Sequence, residues 1–170
     1  FDFVGAIAYG RTLLVGEGNF SFSVSLTGMI RIIPGRLTAT TLEPEQELSP
    51  LAETNVRQLR AHGARVVCGI DATDLAAAFG SLRFENIVFQ FPHVGSREPV
   101  EGHNPNFILI RDFLLSAAAQ LAPGGQVLIS AVDSPHYEGA FQFDEAAETA
   151  GFLPPEVYPF DPSDFPGYIH

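Results

Sequence analysis

The stretch "LLVGEGNFSFSVSL", residues 13–26, carries an apolar run into a glycine turn and out into an amphipathic segment. That order, strand then turn then helix, is repeated outward along the chain. "RTLLVG" (11–16) reads as the first strand, and Asn19 can cap a helix running to about Ile30. "RLTATTL" (36–42) follows as a second strand, then a helix from about Glu45 to His62, where Leu48, Leu51, Val56 and Leu59 give an apolar face and Gly63 a stop. "RVVCGI" (65–70) is the third strand, "DLAAAFG" a short helix and "ENIVFQF" (85–91) the fourth strand. A long helix over about Asn106 to Leu121 leads through "APGG" into "QVLISAV" (126–132). A last helix over about Phe141 to Ala150 and a sixth strand at "EVYPF" complete the series.

Strands alternating with helices imply parallel pairing and right-handed crossovers. The expected fold is α/β, a Rossmann-like three-layer sandwich with a mostly parallel sheet of six or seven strands, formed by residues 1–170 as a single domain. "FPHVGSREPVEGHNPN" (91–106) is the one long loop, and its length suggests a functional role.

Composition narrows the function. The formal net charge is -11, all nine basic residues are Arg and there is no Lys. A duplex nucleic-acid binder carries a basic face, and only Arg57, Arg60 and Arg65 approach one here. Cys68 stands alone, which excludes an internal disulfide and any multi-cysteine metal site. No metal site is expected, because His93 and His103 are ten apart in a loop and His136 stands by itself. No stretch is apolar for long enough to cross a membrane, and no charged, apolar leader is visible at the N-terminus, although the chain opens at Phe1 and a leader could have been lost. A reducing cytoplasm is the expected location. Oligomeric state is not legible.

In open α/β sheets ligands sit outside the carboxyl ends of the strands. "GEGNFS" (16–21) lets backbone approach a ligand there, yet Ser21 breaks the dinucleotide fingerprint and the absence of Lys excludes a P-loop. Glu17 argues against a phosphate in the turn. A cationic or zwitterionic nucleoside such as S-adenosylmethionine suits it better. Glu43, after the second strand, can accept from both ribose hydroxyls, and Asp71, in "GIDAT", from the adenine amino group. Each acid taken alone reads equally as a helix cap or a solvated loop residue.

"LLVGEGNFSFS", "GIDAT", "FQFPHVG", "LAPGGQV" and "FDPSDFPGY" occur in this order, and with them the sequence resembles the uracil-N3 ribosomal RNA methyltransferase-like family, from about residue 11 onward. The resemblance implies S-adenosylmethionine as methyl donor, bound by Gly16, Glu17, Gly18, Asn19, Phe20 and Ser21, with Glu43 on the ribose and Asp71 on adenine. Ala72 and Phe91 join them in the expected donor site. "QFPHVG" takes the place of the Asn/Asp-Pro-Pro-aromatic motif of relatives that methylate amino groups.

Methyl transfer from a sulfonium requires an in-line nucleophile, and a base helps when the acceptor carries a proton. His93 is the candidate base, Gln90 the candidate acceptor-orienting amide, and Pro92 with Phe91 an apolar wall for a flat ring. Each has a plainer role open to it, as a loop or strand-end residue. Asp161 and Asp164 read as turn residues, and Tyr168 either caps the acceptor pocket or packs at the chain end. The acceptor stays open between uracil N3 of RNA, which the resemblance implies, and a small molecule, which the charge favours. Two other functions fit the same residues: transfer of another carbon group or cyclisation of the donor, and a nucleoside-binding module without catalysis.

Overall fold

The computed structural model describes residues 1–94, 98–133 and 139–170. Five strands, β1 (Thr12–Val15), β2 (Leu37–Thr41), β3 (Arg65–Cys68), β4 (Phe84–Gln90) and β5 (Leu121–Ser130), form one sheet in the order β3-β2-β1-β4-β5. Every neighbouring pair is parallel. Six α-helices accompany them among the described residues: α1 (Phe3–Ile7), α2 (Ser21–Thr27), α3 (Pro50–Ala61), α4 (Leu75–Phe79), α5 (Pro105–Gln120) and α6 (Phe143–Thr149).

The centre of the sheet is apolar on both faces because helices cover both. Leu14 and Val88 point into a core built with Phe22, Leu26, Val56 and Leu59 of α2 and α3. Leu13, Val15, Ile87 and Phe89 point the other way, into a core built with Phe79, Phe107, Ile110, Phe113 and Ala146 of α4, α5 and α6. The chain order reverses between β1 and β4, so the crevice at their carboxyl ends is the place where this topology admits a ligand.

Three expectations need correction. The sheet has five strands among the described residues, not six or seven, and "EVYPF" (156–160) is irregular. Pro154, Pro155 and Pro159 supply no N–H for a ladder, and Val157 is 90% exposed. The second long helix starts late: Glu45–Glu47 is a separate 3-10 turn, and α3 begins where Ser49 accepts from the Ala52 N–H with Pro50 in the first helical position. Leu51 is consequently exposed, and Ala52 and Asn55 join Val56 and Leu59 on the buried face. Finally, α2 ends at Thr27, three residues before Ile30.

"APGG" does not precede β5 but lies within it. Phe84 pairs with Leu121, and Asn86 next pairs with Gln126, so the extra residues bulge out between two registered pairs. Gly124 supplies the positive φ (76°) this requires. The short helix α1, capped by the Asp2 side chain, gave no periodic signal in sequence.

Candidate functional site at the carboxyl edge of the sheet

Gly16 begins the turn with φ +65°, and a Cβ there would lie 2.3 Å from the Phe89 ring. Only glycine fits both the dihedral and the space. The Glu17 N–H donates to the Thr40 carbonyl at 2.9 Å, tying the turn to β2. The Glu17 side chain folds back beneath the turn, where its Oε1 accepts from the Ser23 N–H at 3.1 Å and from the Ser23 hydroxyl. Burial pushes this carboxyl up to about 7, and the two Ser23 bonds hold it from rising further. Glu17 therefore supplies a cap for the first turn of α2, a service that Phe20 in the N-cap position cannot perform.

Gly18 is exposed, and a Cβ there would meet nothing within 4 Å. Asn19 accepts from the Ser21 N–H at 2.9 Å and donates through Nδ2 to the Ile169 carbonyl at 2.9 Å. Asn55 of α3 clamps the turn from behind by donating to the Asn19 carbonyl. Phe20 takes a left-handed conformation (φ 64°), and its ring is fully buried in the core. The Ser21 hydroxyl accepts from the Ile169 N–H at 2.8 Å and donates to the Ile169 carbonyl at 3.1 Å. The side chains of Asn19 and Ser21 are thus engaged with the segment 165–170, and the exposed residues of the turn are Gly16 and Gly18.

Glu43 and Asp71 stand exposed after β2 and β3, at the same edge of the sheet as the turn. Asp71 uses Oδ1 to accept from the Thr73 N–H at 2.9 Å and its hydroxyl at 2.7 Å, while Oδ2 has no partner among the described residues. Ala72 is half-buried against the α4 side of the core.

β4 ends in Gln90, which is buried, and its Oε1 accepts from the Ser130 hydroxyl of β5 at 2.7 Å. Among the described residues, Gln90 Nε2 is buried without a hydrogen-bond partner of normal geometry. The Tyr168 hydroxyl lies close to this amide. Burial, and then the field of Glu17, push that phenol up to about 12, with the Gln90 amide acting weakly against them. Phe91 follows at φ 52°, its N–H donating to the Ser130 carbonyl at 2.7 Å. Its ring meets Phe160, Tyr168 and His170, the last at 4.5 Å between centroids. Pro92 is buried. His93 is exposed, with Nδ1 3.4 Å from the Phe91 carbonyl.

The structure thus gathers the glycine turn, Glu43, Asp71 and the Gln90–His93 segment along one edge. Ser130 and Ile169 are additions that the sequence did not announce. Only the parallel register Gln90↔Ser130 reveals the first. Asp161 binds Ser163 in a tight turn. Arg60 pairs with Glu45, and Arg57 touches Thr54. Among the described residues, no three His, Cys, Asp or Glu side chains converge as a metal site, and no helix is long and apolar enough to cross a membrane. His136 and Arg97 lie outside the described residues.

The parallel sheet, with a glycine turn after β1 and acids after β2 and β3, places the chain in the class of parallel α/β folds. Comparison with known sequences narrows the class: the profile of the rRNA (uridine-N3-)-methyltransferase BTM5-like family matches residues 13–170, and the chain belongs to that family of methyltransferases. It is 36% identical over 172 residues to human Ferredoxin-fold anticodon-binding domain-containing protein 1, an alignment covering 93% of this chain and 27% of that protein. It is 30% identical over 177 residues to the Arabidopsis thaliana protein At4g26485, covering 94% of this chain and 80% of that one. The chain therefore spans about a quarter of the human relative's length. The crystal structure of TrmN from Thermus thermophilus aligns with a TM-score of 0.48 at 24% identity, over 70% of this chain and 32% of that one.

Proposed function

We propose that the chain takes a methyl group from S-adenosylmethionine held at the glycine turn and passes it to N3 of a uridine in RNA, at the Gln90–His93 segment. The observation that carries this reading is the shared edge: the open Gly18, the free Oδ2 of Asp71 and the exposed Glu43 lie along the carboxyl ends of β1 to β3, beside the end of β4.

The residues present fit this donor. Gly18 lets backbone come close to it, Glu43 suits a ribose diol, and Asp71 Oδ2 suits an adenine amino group. The Glu17 carboxyl is turned inward to Ser23 and so does not itself face a ligand on the turn. Bound there, S-adenosylmethionine supplies an electrophilic methyl on a sulfonium. The protein's own work is to place the acceptor in line and to remove its proton. With Nδ1–H directed to the Phe91 carbonyl, Nε2 of His93 is the basic nitrogen, suited to take the proton from uracil N3. Phe91 and Pro92 form the apolar wall beside it.

The strongly acidic charge favours a second reading in which the acceptor is a small molecule. One assay separates the two. The protein is incubated with labelled S-adenosylmethionine and uridine-containing RNA, and the nucleosides are analysed by mass spectrometry. 3-Methyluridine supports the first reading. Label in small metabolites of an extract, with none in RNA, supports the second.

A further inference from the structure

Gln90 ends β4 with its amide in an unusual state. One end is satisfied and the other is not, although both are buried. Oε1 accepts from the Ser130 hydroxyl at 2.7 Å, while Nε2 is sealed from solvent with the Tyr168 hydroxyl near it and no hydrogen bond of normal geometry among the described residues. A buried amide donor without an acceptor is a defect that folded proteins rarely keep without a use. Ser130 is itself buried, and it lies opposite Gln90 in the parallel register of β4 and β5. In this arrangement the Ser130 hydroxyl donates to Oε1, and the N–H pair of the amide is directed away from β5.

The cover over Nε2 is shallow. The Tyr168 hydroxyl beside it belongs to a segment whose root, Phe165, is buried with Phe22 and Phe160. Its tip is held mainly by the Ile169 bonds to Ser21 and Asn19. Phe91, at positive φ, presents a half-buried ring next to the amide. A flat ring lying along Phe91 would bring its edge to Gln90, and an oxygen on that edge would replace the Tyr168 hydroxyl as neighbour of Nε2.

We propose that Ser130 is a positioning residue that fixes the Gln90 amide as a donor-only station, so that the end of β4 takes a ring carbonyl and rejects a ring amino group. The inference rests on the acceptor site described above and adds the chemistry by which that site selects. An amide held the opposite way would offer Oε1 and favour an amino group. Uracil and cytosine differ at two neighbouring positions of the ring edge, a carbonyl at C4 against an amino group and a proton on N3 against a lone pair, and the Gln90 amide reads the first. A site of fixed polarity discriminates strongly, since the wrong ring sets two donors against each other.

The test uses uridine and cytidine, which carry no phosphate, titrated into the 15N-labelled chain with S-adenosylhomocysteine present. Uridine is expected to shift the Gln90 side-chain NH2 resonances and to bind at least about tenfold more tightly than cytidine. Ser130→Ala frees the amide and brings the two affinities close together. Ser130→Thr keeps a hydroxyl and restores the difference. Gln90→Glu, an acceptor where the donor stood, removes the preference for uridine even if Ser130→Ala fails to fold. Equal binding of the two nucleosides by the wild type, no perturbation of Gln90 by either, or full discrimination in Ser130→Ala would each overturn the proposal. Formation of 3-methyluridine is scored separately. A wild type that makes it while Ser130→Ala still discriminates loses this inference and keeps the function.

Discussion

Glu17 and Ser23 face each other beneath the glycine turn, the Ser23 N–H donating to Glu17 Oε1 at 3.1 Å and the Ser23 hydroxyl to the same oxygen. The pair is buried, and burial raises the carboxyl from its ordinary 4.5 to about 7. The folded state therefore holds a proton there that the unfolded chain releases near pH 4.5. Stability from this group is fully present below about pH 4.5, falls as pH rises to about 7, and is flat above that. The drop is about 3 kcal/mol at most. The lowered carboxyls of Asp2, Glu45 and Asp161 act at more acid pH with the opposite sign. Glu17→Gln keeps an acceptor for the Ser23 N–H and removes the charge. Urea unfolding at pH 5 and pH 8 is expected to show the variant more stable than wild type at pH 8, with the difference shrinking at pH 5. An equal pH dependence in both would contradict the assignment.

Ser21 both donates to and accepts from the Ile169 peptide. In Ser21→Ala only the Asn19 bond to the Ile169 carbonyl remains. Hydrogen exchange at the Ile169 amide should quicken about fivefold, corresponding to about 1 kcal/mol for one lost bond. Exchange at wild-type rate would show that Phe165 and Tyr168 alone hold the segment.

Gly16→Ala meets the Phe89 ring at 2.3 Å and a φ of +65°. It is expected to lower stability by roughly 2–4 kcal/mol, combining the left-handed backbone cost with overpacking. Thermal unfolding reads this directly, and a loss under 1 kcal/mol would mean that β4 yields easily at Phe89.

Asp71 holds Thr73 with Oδ1, and in the proposed function its Oδ2 takes the adenine amino group. Asp71→Asn can keep the Oδ1 bonds to Thr73 while replacing the free oxygen with an amide donor. The melting temperature should stay within a few degrees, and affinity for S-adenosylmethionine should fall by about 1–3 kcal/mol. Unchanged affinity would leave Asp71 as a turn residue only.

The sheet is legible in the sequence because β1 and β4 are largely apolar on both faces and β1 lies between Gly10 and Gly16. At "EVYPF" the apolar pattern matches that of a strand, while Pro154, Pro155 and Pro159, equally plain in the sequence, deny it a ladder. The positions of Gly18, Glu43, Asp71 and Gln90 follow from strand ends, which periodicity locates. What Glu17 and Ser21 bind does not follow. Their partners, Ser23 beneath the turn and Ile169 far along the chain, are matters of side-chain direction and tertiary return. Ser130 was invisible for the same reason: its meaning depends on register with Gln90.

Gly18 bears the central claim, that the turn after β1 is a donor site. Its missing Cβ points into open space and its φ is unexceptional, so Gly18→Val should fold normally and yet obstruct a ligand lying on the backbone. Titration calorimetry with S-adenosylmethionine, run on both proteins with melting curves as control, decides the matter. The account predicts micromolar binding by the wild type and a loss of at least about tenfold in Gly18→Val, equivalent to about 1.4 kcal/mol. No heat of binding in the wild type, or equal affinity in a well-folded Gly18→Val, would contradict it.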